Sequence, residues 1–299
     1  MAIDRPHGCA VSRRQLFGLL AALAVPGRAG AASVTRVAAI DWAMLETAIA
    51  LGVTPIAATE LIAFRDKAVE PAIPPSVADL GLRGSPNYEY LHALKPDLIL
   101  SSPFYARQEA ALEAIAPVYS LPFYVRGEPP YEKALNAVSE LGRKLELGEQ
   151  AEQLLAWQAA RIGLMREKLA TAAKTPVYIV NIGDARHFRA FGADSMFGDI
   201  AARLGLVNAW TDRSRFTFAA PVPLEALAAR PEAAIIIVSD IPVEARTSLR
   251  DSMIWQSLEP VRKSRVFQIG NVNPYGGICA AMRFASLVTP ALVQPREQR

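Results

Sequence analysis

Cysteine and histidine are scarce in this chain: 2 and 3 residues among 299. Cys9 lies near the start and Cys279 is the other cysteine, so no disulfide is expected within the body of the protein. His92 and His187 are the only histidines beyond the first thirty-one residues, and they are far apart. That supply does not suit a zinc or copper centre, and no metal-ligating set is expected. The usual catalytic signatures are missing too. There is no G-x-S-x-G, no H-E-x-x-H and no glycine-rich phosphate loop; "GADSMFG" (192–198) lacks the second glycine at the right place. Ser195 has His187 near it in sequence, which is weak ground for a dyad. A binding protein is expected rather than an enzyme, with an exported hydrolase as the remote alternative. No apolar run reaches 18 residues, so no membrane-spanning helix is expected.

Excess charge is also lacking. The formal net charge is +3, yet residues 1–31 carry Arg5, Arg13, Arg14 and Arg28 against Asp4 alone. The rest of the chain has equal numbers of acids and bases, which gives no support to nucleic-acid binding. The first residues read as an export signal. "SRRQLFGLLAALAVPGRAGAA" has paired arginines, Phe17 three residues on, an apolar run from Leu16 to Val25 and a small-x-small site at Ala29 to Ala31. Ten apolar residues are too few to cross a bilayer, which takes about 20. The pattern is similar to a twin-arginine signal, which sends folded cargo to the bacterial periplasm. An anchored amphipathic N-terminus is the other reading; the cleavage pattern favours export. Cys9 precedes the apolar run and so is not a lipid-attachment site.

What is present is a large apolar fraction, 52%, with 20% charged residues, enough to build a core and too apolar for disorder. Short apolar runs alternate with helical patterns. Strands are expected at 36–40, 53–58, 97–102 and 118–123, with helices at 41–52, 86–94 and 107–117 and a proline-rich loop at 69–79. This order implies βα units around a parallel sheet. From 131 to 174 no strand signal occurs. Leu135, Val138, Leu141, Leu145, Leu154, Leu155, Ile162 and Leu169 fall at helical spacing, and the stretch reads as one long or two abutting helices, with Gly142 and Gly148 as kink points. A strand at 175–180 follows, and the plan of the first half returns. "LHALKPDLILSS" (91–102) and "LAARPEAAIIIVS" (227–239) each leave a helix, turn at a proline and enter an apolar strand. The expected fold is α/β: two small lobes with central sheets, joined by a long helical connector, with a ligand groove between them. The expected boundaries are residues 1–31 for the signal, 32–130 for the first lobe, 131–174 for the connector and 175–299 for the second lobe. Ligand sites favour domain interfaces and the carboxyl ends of parallel strands. The loops to watch are therefore Asp41-Trp42, "PFYAR" (103–107) and "NVNPYGG" (271–277).

One residue stands out. Arg83, in "DLGLRGSPNYEYL" (79–91), sits between two glycines with no acid within three residues on either side. The run "GLRGSPNYEYLHALKPDLILSSPFY" (81–105) resembles the core motif of the helical-backbone substrate-binding proteins of iron–siderophore and corrinoid ABC importers. It is most similar to their periplasmic ferric hydroxamate-binding family. "IDWAMLETAIALGVTPIA", "EPAIPPSVADLGLR", "DARHFRAFGADSMFGDIAARLGLVNAW" and "GGICAAMRF" follow in the family's order, so the resemblance covers nearly the whole chain after residue 31.

The resemblance implies an Fe(III)–siderophore ligand, no intrinsic cofactor, an inner-membrane ABC permease as partner and a monomer. Arg83 matches the arginine that contacts the iron-coordinating oxygens, Tyr105 its tyrosine partner and Trp42 an aromatic near the groove. The family's groove tryptophans align with Lys67, Ser101, Thr217 and Asn273. Asn273 is counted among the ligand contacts, and Phe64, Phe104, Phe216, Phe218 and Tyr275 are nearby aromatics that could supply the wall. Glu225 aligns with the acid that docks the second lobe on the permease; on the first lobe the nearest acid is Glu109, displaced by one position, with Glu113 one turn beyond it. Arg189 and His187 are expected to face outward from a strand.

The chemistry fits. Three anionic hydroxamates neutralise Fe³⁺, while their oxygens still accept hydrogen bonds. A guanidinium offers five donors in a planar fork, so an arginine and a phenol can grip that oxygen face without touching the metal. A trianionic catecholate complex would call for more cations, for which Arg107, Arg186 and Arg215 are candidates. Other chelates (a carboxylate siderophore, haem or a corrinoid) remain open.

Overall fold

The computed structural model describes residues 36–171, 175–212 and 218–293. The expected export signal at 1–31 lies outside the described residues, as do Arg215, Phe216 and Thr217.

The first half forms a five-stranded, fully parallel sheet: β1 (Val37–Ala39), β2 (Ala57–Ala58), β3 (Ala78–Asp79), β4 (Leu98–Ser101) and β5 (Val118–Ser120). The spatial order is β3-β2-β1-β4-β5. β1 and β4 are buried along their whole length, as runs such as Leu-Ile-Leu demand of strands covered on both faces. Helices α1 (Trp42–Ala50), α2 (Leu61–Lys67), α3 (Tyr88–Leu94) and α4 (Glu109–Glu113) make the crossovers. Asp41 caps α1 by accepting from Ala43 N and Met44 N. β3, inside the proline-rich loop, carried no periodic signal, because two residues cannot show one.

Of the two readings of the connector, the chain takes the second. α5 (Tyr131–Lys144) and α6 (Gly148–Leu169) are separate helices. The break falls at residues 145–147, where Glu146 takes a left-handed conformation (φ 59°), and not at a glycine. α6 alone is about 33 Å long at 1.5 Å per residue. Gly142 lets α5 lie close on α6, since a Cβ there would come within 2.6 Å of Ala151 Cβ.

The second half has strands β6 (Val177–Ile182), β7 (His187–Phe191), β8 (Phe218–Pro223), β9 (Ala234–Ile237) and β10 (Val266–Gln268), in the order β10-β9-β6-β7-β8. Its helices are α7 (Met196–Arg203), α8 (Val243–Asp251), α9 (Met253–Ser257), α10 (Glu259–Arg262) and α11 (Ile278–Val293). The repeated turn-and-strand plan holds at one place in each lobe: β4 pairs with β1, and β9 with β6, both in parallel. The repeat fails at β7 and β8, which run antiparallel to their neighbours. Only residues 183–186 join β6 to β7, too few for the crossover that a parallel pair needs.

The two lobes share a core. Met44, Phe64, Leu98, Leu141, Leu169, Phe197, Ile236 and Phe284 belong to one continuous apolar cluster. α11 is its hub and packs on α1, α5, α6 and α7. Polar links also join the lobes: Asn271 Nδ2 donates to Asp66 O (3.2 Å) at the surface, and Arg283 Nη1 pairs with Glu70 Oε1 (2.8 Å) in a partly buried position.

Candidate functional site

In the first sheet the strand order reverses between β1 and β4, and ligands of α/β sheets sit at such a reversal. A cavity of about 770 Å³ opens there between the lobes. Asp41 and Trp42 follow β1; Ser102, Pro103, Phe104 and Tyr105 follow β4. Glu60, Arg83, Gly84 and Gln108 complete this side. Pro122, Phe123, Tyr124, Val125 and Arg126, from the segment before α5, form an end wall, and Phe218 and Tyr275 come from the second half.

Arg83 reaches this cavity, but it is not unpaired. Its Nε lies 2.8 Å from Glu60 Oε2, and its backbone N donates to Glu60 Oε1 (3.1 Å). The sequence expectation of a lone charge is corrected: the acid that answers it lies 23 residues upstream. The guanidinium also lies over the Trp42 ring, 4.0 Å from its centroid. Trp42 is 5% exposed, and its Nε1 donates to Thr59 O (2.9 Å), which fixes the ring as a platform beneath the arginine. With Nε and the backbone engaged by Glu60, the guanidinium also hydrogen-bonds the Tyr105 side chain, which holds the two polar groups side by side on the cavity lining.

Tyr105 sits on a short 3-10 turn, Pro103–Gln108, and is buried. Burial pushes its phenol up to about 12, opposed by the neighbouring Arg83. It is therefore a neutral O–H donor at physiological pH. Gln108 Nε2 donates to Gly84 O (2.8 Å) and ties this turn to the loop that carries Arg83. Asp41 faces the same floor. Ser102 Oγ donates to its Oδ2 (2.8 Å), and burial pushes its carboxyl above the usual range.

The walls are aromatic. Phe104 is 87% exposed and presents its ring at the rim. On the far side Tyr124, Tyr275 and Phe218 form a chain of edge-to-face contacts, with centroids 5.4 Å and 6.0 Å apart. Phe218 is backed by the Arg189 guanidinium at 5.1 Å. Phe123 and Tyr124 were not foreseen from the sequence; the segment joining β5 to α5 has no motif to mark it.

Other expected contacts fall elsewhere. Asn273 is 2% exposed, and its Nδ2 donates to Glu46 Oε1 (2.8 Å); the expectation of a ligand contact is corrected, because the side chain is spent in the core. Ser101 is buried within β4, Lys67 is exposed at the end of α2, and Phe64 lies beneath Trp42 with centroids 5.1 Å apart. Arg107 and Arg186 are exposed and line no part of the cavity. Ser195 caps α7: it is fully buried, donates to Gly192 O and accepts from Gly198 N. His187 faces Asp184 instead, Nδ1 lying 3.2 Å from Oδ1. Glu225 is exposed at the start of a 3-10 turn, Leu224–Ala229, and Glu109 is half-buried at the start of α4. Among the described residues no cluster of three or more His, Cys, Asp or Glu could hold a metal ion, and no helix is long and apolar enough to cross a membrane.

Glu46 supports the groove from behind and was missed. It lies on α1 and is wholly buried, and its carboxylate accepts from Asn273 Nδ2, Gly277 N (2.7 Å) and Ala280 N (3.1 Å). The carboxylate thus anchors the first turn of α11 and the loop carrying Tyr275. Gly276 permits this approach; a Cβ there would lie 2.5 Å from Glu46 Oε1. Burial pushes Glu46 up to about 8 against the pull of its three N–H donors. An acid among the apolar residues of "WAMLETAIA" was the one available sign.

Comparison with known proteins agrees with this architecture. Residues 37–272 match the family model described as "Periplasmic binding protein". The iron(3+)-hydroxamate-binding protein FhuD of Escherichia coli is 29% identical over 287 residues, which is 94% of this chain and 97% of that protein. The achromobactin-binding periplasmic protein of Dickeya dadantii is 29% identical over 294 residues, 91% of this chain and 92% of that one. The crystal structure of the Fe³⁺–Desferal-bound siderophore-binding protein FhuD from Vibrio cholerae superposes with a TM-score of 0.80 at 25% identity, covering 87% of this chain and 98% of that one. With most of its length matched by the family model, the chain belongs to the periplasmic binding protein family.

Proposed function

We propose that this protein captures an Fe(III)–siderophore, of the hydroxamate type, in the inter-lobe groove and delivers it to an inner-membrane ABC permease. One observation carries this reading: an arginine fork, held by Glu60 and backed by Trp42, faces an aromatic-walled cavity beside a phenol that stays protonated. Arg83 and Tyr105 donate to the oxygens around the iron, which is cargo and stays within its chelate. Phe104, Tyr275 and Phe218 lie against the ligand's hydrocarbon arms, with Trp42 beneath the arginine fork. The charged groups lining the cavity are Arg83 and Arg126 against Asp41 and Glu60. That balance suits a complex of no net charge. A trianionic catecholate would meet two carboxylates and gain nothing from Arg107 or Arg186. The iron(3+)-hydroxamate-binding protein of Escherichia coli and the Fe³⁺–Desferal-bound protein of Vibrio cholerae, both similar to this chain, support the same class.

Residues 1–31 direct the protein to the periplasm by a twin-arginine-type signal. Glu225 and Glu109 dock the second and first lobes on the permease. The protein works as a monomer that does no chemistry on its ligand. The test is a binding screen by calorimetry against ferrichrome-type, ferrioxamine-type and catecholate ferric complexes. Hydroxamate complexes are expected to bind most tightly. Binding of a catecholate alone, or of none of the three, would overturn the proposal.

A further inference from the structure

The cavity floor contains an ion pair that ligand contact alone does not require. Glu60 gives one oxygen to the Arg83 backbone N and the other to Nε, a two-point hold that turns the rest of the fork to the groove. It does so from an unfavourable backbone state. Glu60 has φ 51° and ψ 42°, the left-handed region that glycine or asparagine would fill at less cost. Its own backbone N is tied to Gly81 O (2.8 Å), in the turn that carries Arg83. The pair is partly dry, the side chains being 29% and 19% exposed, so solvent screens it less than a surface pair. Asp41 cannot take over this task. Its oxygens are committed to Ala43 N, Met44 N and Ser102 Oγ. Arg126 is exposed at the rim and well screened.

Resting on the siderophore reading above, we infer that Glu60 determines specificity: it aims the Arg83 fork and cancels its charge, so the groove ranks neutral ferric complexes above anionic ones. A neutral complex takes N–H donors from the fork without bringing charge to the floor. A trianionic complex meets the Glu60 and Asp41 carboxylates beside the single cation of the floor. Glu60 thus separates what the arginine donates from what its charge would attract.

The experiment is calorimetric titration of the full chain with a neutral ferric tris-hydroxamate and a trianionic ferric tris-catecholate, at two salt concentrations. The variants are Glu60→Gln and Glu60→Asp, with thermal unfolding as the check on folding. In Glu60→Gln the preference for the hydroxamate is expected to fall at least tenfold, with a smaller change at high salt. Glu60→Asp keeps the charge and is expected to keep the ranking, even where both affinities drop. If Glu60→Gln does not fold, the salt series on the unsubstituted protein decides the matter: its preference for the neutral complex is expected to narrow as salt rises, and a preference that salt does not move would overturn the inference. A folded Glu60→Gln that loses affinity for both complexes alike, with the ranking unchanged, would overturn it too. Failure of the unsubstituted protein to bind either complex would be a separate result, against the siderophore reading itself.

Discussion

Replacing Arg83 by alanine removes the two terminal nitrogens that Glu60 leaves available, together with the charge of the fork. Hydrogen bonds involving a charged group contribute about 1.5–3 kcal/mol. The expected loss is therefore about 10- to 150-fold in affinity for the ferric hydroxamate. The substitution has a folding cost as well. The Arg83–Glu60 pair is neither fully exposed nor fully buried, and such pairs contribute on the order of 1 kcal/mol. The stack on Trp42, at 4.0 Å, adds about 0.5–1 kcal/mol. For a chain of this size the sum lowers Tm by only a few degrees, roughly 2–4 °C per kcal/mol. Because the guanidinium lies on Trp42, its removal also alters the main fluorescent reporter of the groove. Calorimetry is therefore the assay of choice, with thermal unfolding alongside. Arg83→Lys separates shape from charge: it keeps the cation but loses the planar fork, and an intermediate affinity is expected. A folded Arg83→Ala protein that binds with undiminished affinity would refute the reasoning.

Three further outcomes follow from the same structure. The folded-state pKa of Glu46, about 8, lies above its ordinary 4.5, so its contribution to stability is full below about pH 4.5 and is lost as pH rises through about 8. The difference reaches on the order of 5 kcal/mol, and Glu46→Gln should flatten the dependence of Tm on pH across that window; parallel curves for the two proteins would contradict the assignment. The shared core and the Arg283–Glu70 and Asn271–Asp66 links leave little room for hinge motion, so small-angle scattering should give nearly the same radius of gyration with and without ligand, and a large fall would count against this. Glu225→Ala should leave calorimetric affinity unchanged and reduce siderophore-dependent iron uptake in cells; undiminished uptake would remove Glu225 from the docking surface.

Local chemistry made much of this legible. Apolar runs bounded by turns placed β1, β4 and β9, and helical spacing placed α5 and α6. Arg83, Tyr105, Trp42, Phe104, Phe218 and Tyr275 all line the cavity; Arg83, Tyr105 and Trp42 were marked by the family resemblance, and the segments after β1 and β4 by the apolar runs before them. What stayed hidden depends on pairings distant in sequence. Glu60 meets Arg83 across 23 residues, and Glu46 meets Asn273 across 227. No local pattern records such a meeting. Asn273 was misplaced for that reason: in "NVNPYGG" it looks like a loop residue at a strand end, and only the buried carboxylate draws it inward. The antiparallel arms β7 and β8 were hidden differently, since alternation marks a strand but not its direction.

α11 gives the architecture a temporal consequence. It closes the core that both lobes share, and its first turn receives the Glu46 carboxylate from the opposite half of the chain. Neither lobe can be finished before residues 278–293 have been synthesised and released from the ribosome tunnel. A product truncated before Ile278 would lose its central wedge and would be prone to clumping through bared apolar surface, rather than surviving as a half-active fragment.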